Sequence, residues 1–145
     1  MSYATNIHVL VVDDEPTILD EIVQYLYGES IVAIPASFPA EAVRRFAGRP
    51  EISVVITDMK TPGQDDLSMA RDLLATITPA NAVEVIVITG HPEAPKAAGA
   101  IEPPVFEFLP KPVDLARLAN SVRRAHVAAM ARRQAGTRPV GTPPA

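Results

Sequence analysis

The sequence contains no cysteine and no long run of apolar residues. Without cysteine the chain can form no disulfide, no thiolate zinc site and no cysteine nucleophile. Its longest apolar stretches are about six residues, far short of the roughly 20 that span a bilayer. The first such stretch, residues 7–12, ends in acidic residues instead of a cleavage site, so we do not expect it to be part of a signal peptide. We therefore expect a cytoplasmic protein with no membrane contact.

The overall composition is that of a folded protein. The 145 residues are 48% hydrophobic and 21% charged, near the average for globular domains. A chain of this length suits one domain and can bury about 70% of its unfolded surface. Residues 134–145 differ, because glycine and proline are frequent there. We predict one domain over residues 1–133, followed by a flexible tail or linker over residues 134–145.

Positive and negative side chains are unevenly distributed along the chain. Residues 1–110 carry six basic and sixteen acidic side chains, whereas residues 111–145 carry seven basic and one acidic. We interpret the basic, alanine-rich end as the solvated face of a helix and expect no direct contact with nucleic acid. DNA binding is the weaker alternative, because a nucleic-acid reader usually concentrates positive charge on a recognisable reading element. A dimer or partner face is a further alternative for the arginines of this end, which are Arg117, Arg123, Arg124, Arg132 and Arg133.

Short apolar runs and helical stripes alternate along the chain. Runs without polar alternation indicate strands that are buried on both faces, as in a parallel sheet covered by helices. The predicted strands cover residues 7–12, 31–36, 52–57, 83–89 and 105–109. The predicted helices begin near Pro16, cover residues 40–47 and 67–77, and run from Leu115 to about Arg133. Five strands with intervening helices predict a doubly wound α/β domain.

The crossover between the fourth and fifth predicted strands departs from this pattern. Residues 90–104 contain four prolines, which leave room for only a short helix at residues 96–101. Because proline interrupts helices and restricts the residue before it, we predict a short, distorted or mobile crossover.

Polar residues gather where the predicted strands end. Asp13 and Asp14 follow the first strand, Asp58 follows the third, Thr89 ends the fourth, and Lys111 lies two residues beyond the fifth. Right-handed crossovers place all these strand ends at one edge of the sheet, where open α/β sheets bind ligands. Three crowded carboxylates repel one another and suit a hard cation such as Mg²⁺. An ammonium and a hydroxyl suit phosphate oxygens.

A carboxylate can also act as a nucleophile and form an acyl phosphate. The assembly therefore predicts a Mg²⁺-dependent phosphoryl-accepting site in which Asp58 attacks. Taken singly, each part has a simpler explanation. An acidic pair after a strand often serves the N-terminus of the next helix, and a lone Asp58 could be a turn residue. The common placement of all five side chains at one edge favours the site.

Four short segments also match a known pattern. They are VVDDEP at residues 11–16, TDMKTPG at 57–63, VITG at 87–90 and FLPKP at 108–112. The separations match as well, with 44 residues from Asp14 to Asp58, 31 from Asp58 to Thr89 and 22 from there to the lysine. Over roughly residues 7–130 the sequence resembles the receiver domain of bacterial response regulators. The resemblance implies a flavodoxin-like sheet with strand order 2-1-3-4-5 and helices on both faces.

The resemblance also implies a role for each site residue. Asp58 is similar to the phosphoacceptor, and Asp13 and Asp14 to the acidic pair that holds Mg²⁺ together with Asp58. The backbone carbonyl of Lys60 would be a further metal ligand. Lys111 is similar to the phosphate-binding lysine, and the bond between it and the following proline is typically cis in this family.

The remaining implied roles concern switching and access. Thr89 is similar to the hydroxyl that moves toward the phosphoryl group, and Phe108 to the aromatic residue that turns inward behind it. Met59, Lys60 and His91 would form the rim of the site. The implied mechanism is a population shift, biased by the charge on the phosphorylated carboxylate, that remodels a protein-binding face.

Two features depart from the family pattern. Asp66 stands where the family usually has glycine, eight residues after the predicted phosphoacceptor. The Glu-Pro-Pro sequence at residues 102–104 falls in the surface that usually reports phosphorylation. We therefore expect that any homodimer forms differently from the usual one.

The predicted output is a contact with another protein. We expect a stand-alone receiver in a two-component phosphorelay that is a signalling domain and not an enzyme. It would take its phosphoryl group from a histidine kinase or a histidine phosphotransfer protein and signal to a downstream protein target. One alternative is the N-terminal receiver of a longer regulator, and another is a pseudo-receiver that is never phosphorylated. A phosphatase of related fold is disfavoured, because Lys60 stands where such enzymes need a second carboxylate.

Overall fold

A computed structural model describes residues 6–59, 75, 79–90 and 105–136 of the chain. Most of the helix predicted at residues 67–77, the crossover at 91–104 and residues 137–145 lie outside these ranges. The predictions made for those segments therefore stay predictions.

Five parallel strands form one sheet in the order β2-β1-β3-β4-β5. The strands are β1 Ile7–Val12, β2 Ile31–Ala36, β3 Ile52–Met59, β4 Glu84–Thr89 and β5 Glu107–Pro110. The order confirms the predicted flavodoxin-like sheet. β3 continues two residues further than predicted, because its last residues still pair with β4, Asp58 with Ile88 and Met59 with Thr89.

The structure describes three helices, α1 Pro16–Gly28, α2 Pro39–Phe46 and α3 Leu115–Gly136, and a single 3-10 turn at Pro79–Asn81. α1 and α2 each have a proline in the first turn, where the missing N–H removes no helical hydrogen bond. α3 begins where predicted but ends at Gly136, three residues beyond the predicted end. Residues 134–136 are therefore helical, although their composition predicted a tail.

The last turn of α3 is held by a side chain that hydropathy does not reveal. The Arg133 guanidinium donates to the carbonyl oxygens of Ala82 at 2.8 Å, Pro50 at 2.8 Å and Ile52 at 2.7 Å. These carbonyls lie at the start of β3 and just before β4. The three bonds anchor the helix to the sheet at Arg133, the residue at which it was predicted to end.

Apolar side chains form a core on each face of the sheet. Along β1, Val9 and Val11 belong to a cluster with α1 and α3, whereas Leu10 and Val12 belong to a cluster with α2. Both faces are buried, so the strands needed no polar alternation. Burying one such side chain contributes roughly 1.5–3 kcal/mol, which is why the apolar runs fix the position of the sheet. No helix within the described ranges is long and apolar enough to cross a membrane.

Because all five strands are parallel, their carboxyl ends lie together at one end of the sheet and their amino ends at the other. We call the edge formed by the ends of β1, β3 and β4 the carboxyl edge, where Val12 pairs with Thr57. The opposite edge, at the starts of β3 and β4, is the amino edge, where Val54 pairs with Glu84. Ile52 and Asp58 are six residues apart on β3, so the two edges are about 20 Å apart.

Candidate functional site

Three carboxylates meet at the carboxyl edge. Asp13, Asp14 and Asp58 each offer an oxygen atom, and these atoms lie within 4.8 Å of one another. Asp13 is 7% exposed and the Asp58 side chain 4%, whereas Asp14 is exposed. The structure thus brings together the three acidic residues predicted from the sequence. Asp58 lies inside β3 and not after it, because of the extra pairing with β4.

Asp13 is fixed by the backbone on both sides. Its Oδ1 accepts a hydrogen bond of 2.8 Å from the Glu15 backbone N–H, and its own N–H donates to the Ala36 carbonyl at 3.1 Å. The first bond also orders the start of α1, so the simpler role of an acidic residue before a helix holds for Asp13 as well. The two roles are compatible, because a carboxylate has two oxygens with several acceptor sites and the cluster needs one oxygen from each residue.

Burial raises the pKa of Asp13 above its ordinary value of 3.8. The negative charges of Asp58 and Glu15 raise this pKa further, while the Glu15 N–H bond and the positive charge of Lys111 oppose the shift. A carboxylate in this position is therefore less stable when ionised than one in water. A bound cation would relieve the repulsion.

The donor set fits Mg²⁺. All three groups are hard carboxylate oxygens, and Mg²⁺ binds through one or two carboxylates while keeping waters and accepting a phosphate oxygen. Two of the carboxylates are buried and one is exposed, which leaves an open side for water and substrate. Asp13, Asp14 and Asp58 would hold the ion, and the carbonyl of Lys60, a predicted fourth ligand, lies outside the described residues.

Lys111 supplies the positive charge of the site. Its Nζ forms a salt bridge with Asp58 Oδ1, and its side chain is 32% exposed. Its backbone N–H donates to the Thr89 carbonyl at 2.9 Å, which ties the end of β5 to the end of β4. The Lys111–Pro112 peptide bond is cis, as the resemblance predicts. The ammonium group is therefore fixed beside the carboxylate predicted to accept the phosphoryl group.

Thr89 and Phe108 lie on the same face of the sheet. Val87, two residues before Thr89, belongs to the core cluster against which Phe108 packs, and side chains alternate along a strand. Val87 and Phe108 are register partners, so Thr89 is one diagonal step from Phe108. Thr89 is buried and Phe108 is half-buried. A change at the threonine can therefore reach the aromatic ring through neighbouring strands.

The predicted rim is only partly described. Met59 ends β3, next to Asp58 in sequence. Lys60 and His91 lie outside the described residues, as do Asp66 and residues 102–104, so their proposed effects stay predictions.

The arginines of α3 have partners within the domain. Each arginine of α3 contacts a residue outside that helix, and four of these contacts are to carboxylates. They are Arg117 with Glu107 at 3.9 Å, Arg123 with Glu29 at 2.5 Å, Arg124 with Glu107 at 2.7 Å, and Arg132 with Glu84 at 2.5 Å. Exposed pairs of this kind contribute only about 0.2–1 kcal/mol each. They place acidic side chains beside four of the five arginines of α3, so part of its positive charge is balanced within the domain.

Glu107 is a polar centre that the sequence analysis missed. Its carboxylate accepts hydrogen bonds from Ser121 Oγ at 2.6 Å and from Arg124 at 2.7 Å. Burial acts to raise the pKa of Glu107, but these two bonds and the nearby arginines hold it below its ordinary value. The Arg124 guanidinium also lies 5.7 Å from the centre of the Phe106 ring. The signal was an acidic residue inside a predicted strand, followed by arginines on the next helix.

The known proteins that this chain resembles belong to one family. The family described as the response regulator receiver domain matches residues 9–123. The C4-dicarboxylate transport transcriptional regulatory protein DctD of Rhizobium meliloti (strain 1021) is 32% identical over 119 residues, and the transcriptional regulatory protein GlrR of Escherichia coli (strain K12) is 30% identical over 115. The matches cover 81% and 79% of this chain but only 25% of each relative.

Solved structures agree with this result. A response regulator receiver domain from Clostridium thermocellum is 34% identical with a TM-score of 0.72, covering 86% of this chain and 98% of that one. A response regulator receiver protein from Pseudomonas putida is 29% identical with a TM-score of 0.69, covering 82% and 97%. The sheet order, the matched segment and these neighbours lead to one conclusion. The chain belongs to the response regulator receiver-domain family of two-component systems.

Proposed function

We propose that this receiver domain accepts a phosphoryl group on Asp58 and signals through a change in shape to a protein partner. One observation carries the proposal. The buried Asp58 carboxylate contacts the Lys111 ammonium group and lies within 4.8 Å of two further carboxylates. An isolated structural ion pair would gain nothing from the additional negative charges, whereas a phosphoryl-transfer site needs them to hold a metal ion.

The reaction is a transfer of one phosphoryl group. An oxygen of the Asp58 carboxylate forms a bond to phosphorus, and the bond from phosphorus to the donor's nitrogen or oxygen breaks. The donor atom leaves with the electron pair, and Asp58 becomes an aspartyl phosphate. Lys111 holds the phosphoryl oxygens by charge. Mg²⁺, when bound by Asp13, Asp14 and Asp58, would supply further neutralisation of these oxygens.

Phosphorylation would change the partners of Thr89. A phosphoryl group carries strong acceptor oxygens, to which the threonine hydroxyl can donate. Movement of Thr89 toward the site would leave space on the face it shares with Phe108. We propose that the ring turns into this space and changes the surface around β5, which is how the signal reaches a protein partner.

A cavity beside the site supports a protein as the donor. It has a volume of about 150 Å³ and borders both Asp13 and Lys111. Its apolar walls come from α1, the end of β4, the segment after β5 and the start of α3, and they are Ile18, Ile22, Ile88, Pro112, Val113 and Leu115. An apolar wall next to the phosphoacceptor suits a side chain of a docked histidine kinase or histidine phosphotransfer protein.

The lengths of the matched relatives bear on whether this receiver domain functions alone or within a longer protein. The chain spans about a quarter of DctD and of GlrR, both named as transcriptional regulatory proteins. These lengths support the alternative that this receiver functions within a longer regulator. The stand-alone receiver stays a prediction from the sequence.

Intact mass after incubation with acetyl phosphate and Mg²⁺ tests the proposal. We expect one labile phosphoryl adduct on the wild type, no adduct with EDTA, and no adduct on Asp58→Asn. Asp20→Asn makes the same chemical change at an exposed position on α1 and should label like the wild type. An unlabelled wild type, next to a receiver domain that labels under the same conditions, would contradict the proposal and favour the pseudo-receiver.

A further inference from the structure

A groove of about 280 Å³ lies at the amino edge of the sheet, away from the acidic cluster. Its apolar walls are Val43 and Phe46 of α2 and Pro50 and Ile52 at the start of β3. Gly48 lines the turn between these elements with φ +74°, a left-handed conformation that other residues adopt only with strain. The groove therefore depends on a turn that the sequence builds with glycine.

The groove is held in shape from the other side of the sheet. The carbonyl oxygens of Pro50 and Ile52, which line it, are two of the three acceptors of the Arg133 guanidinium. Phe46 and Ile52 are buried, whereas Val43 is 36% exposed at the opening. A groove whose walls are already fixed can bind without first ordering them, and preorganisation of this kind favours affinity.

Three arginines lie in or just after α2, the helix that forms one wall of the groove, and one of them lines it. Arg44, Arg45 and Arg49 are three of the six basic residues in residues 1–110. Arg45 pairs with Glu41 at 3.2 Å. Arg49 lines the groove, and within the described ranges the Arg44 and Arg49 side chains make no hydrogen bond or salt bridge. This differs from α3, where every arginine has a partner.

Size and charge together limit what can occupy the groove. Pockets for small ligands usually measure roughly 300–1,000 Å³, so a groove of about 280 Å³ is at the small end of that range and has room for one or two large side chains. The exposed guanidinium groups favour a carboxylate-bearing partner. Residues 137–145 of this chain carry one arginine and no acidic residue, so charge does not favour them as the occupant.

We propose that this groove binds an acidic peptide segment of another protein, which inserts an apolar side chain between Val43, Phe46 and Ile52 and pairs a carboxylate with Arg49. The site is about 20 Å from Asp58, so such a partner leaves the phosphoacceptor accessible. The bound peptide would also contact Pro50 and Ile52, whose carbonyl oxygens accept hydrogen bonds from Arg133 of α3. The groove is thus a second protein-binding surface, separate from the carboxyl edge.

The test uses a fluorescent peptide with leucines at helical spacing among glutamates, and the same peptide with lysine in place of every glutamate. Fluorescence anisotropy should show binding of the glutamate peptide and none of the lysine peptide. Val43→Asp should weaken binding by more than about tenfold, because it puts a charge at the apolar opening. Arg49→Gln should weaken it about fivefold, as expected for an exposed ion pair. Arg117→Gln makes the same charge change on α3 and should leave binding unchanged.

Amide chemical shifts on the full chain locate the contact. Saturation with the glutamate peptide should move the signals of Val43, Gly48 and Asn81 and leave those of Asp13 and Lys111 in place. The proposal is overturned if no glutamate peptide binds, if the lysine peptide binds equally, or if the shifts map elsewhere. It is also overturned if sedimentation shows self-association that Val43→Asp abolishes, since a second copy would then occupy the groove. Stronger peptide binding after deletion of residues 137–145 would assign the groove to that segment instead.

Discussion

The two edges of the sheet use charge in opposite ways. At the carboxyl edge, like charges are brought together, and Asp13 is buried near two further carboxylates with its pKa raised. At the amino edge, the positive charge of Arg133 meets three carbonyl oxygens at the start of the strands. The first arrangement costs stability and the second contributes it. A domain can keep a repulsive cluster at one edge because favourable contacts elsewhere hold the fold.

Removing Arg133 should have the largest effect on stability. Arg133→Ala leaves three carbonyl oxygens without their donor, and we expect a loss of about 2 kcal/mol in the free energy of unfolding. Arg132→Ala, its neighbour, breaks only the exposed pair with Glu84 and should cost less than about 1 kcal/mol. Urea unfolding followed by circular dichroism measures both. Equal losses in the two variants would show that the amino edge does not depend on the carbonyl contacts.

Removing the negative charge of Asp13 at the carboxyl edge should raise the stability of the protein, by less than the loss expected for Arg133→Ala. Asp13→Asn keeps an acceptor for the Glu15 N–H and removes the buried negative charge, so the metal-free protein should melt a few degrees higher. In the wild type, Asp13 lowers the free energy of unfolding as the pH rises. The loss begins near pH 3.8, where the carboxyl group of the unfolded chain ionises, and it is complete above the raised pKa of the folded protein.

The same variant should lose the response to Mg²⁺. Thermal melting with and without Mg²⁺ should show stabilisation of the wild type and little of Asp13→Asn. Asp14→Asn is the matched control, since it removes an exposed carboxylate and should raise the metal-free melting temperature less. A metal-free Asp13→Asn that melts below the wild type would contradict the view that this carboxylate is destabilising.

The smallest expected effect is a pH dependence centred on α3. His126 contacts Ser53 Oγ through Nδ1 at 2.7 Å, and burial lowers its pKa below the ordinary 6.5, with a further contribution from the charge of Arg133. The unfolded histidine therefore binds a proton more readily than the folded one. Its contribution to stability is complete above pH 6.5 and is lost as the pH falls through the folded pKa.

Urea unfolding at pH 7.5 and at about pH 5.5 measures this dependence. The loss of stability at the lower pH should be under about 1 kcal/mol in the wild type and smaller in His126→Gln. Arg133→Ala should also reduce it, because one cause of the shift is removed. A loss of the same size in all three proteins would assign the pH dependence to other groups.

Sequence reasoning was most successful where the signal is local. The apolar runs of β1, β3 and β4 marked strands because these strands are largely buried on both faces. The edge at which Asp13, Asp58 and Lys111 meet follows from parallel topology alone. It failed where partners are distant in sequence. Arg133 binds carbonyls 51 to 83 residues away, so the contacts that hold the amino edge cannot be read from composition.

The same limit applies to strand ends and polar centres. The extension of β3 to Met59 depends on pairing with β4, and the Glu107 cluster depends on how α3 lies against β5. Hydropathy carries no information about either contact. The roles assigned to Lys60 and His91 depend on segments outside the described residues and stay predictions.

Hydrogen bonds hold helix α3 in place near its start and near its end. At its start the Asp114 carboxylate accepts a hydrogen bond from the Arg117 N–H at 3.0 Å, and at its end Arg133 is tied to the amino edge. Each residue of an α-helix turns the chain by about 100° and advances it by about 1.5 Å. One inserted or deleted residue between these points would therefore swing the guanidinium away from its carbonyls. The number of residues between Asp114 and Arg133 is therefore constrained, and related sequences should gain or lose residues of this helix only beyond Arg133.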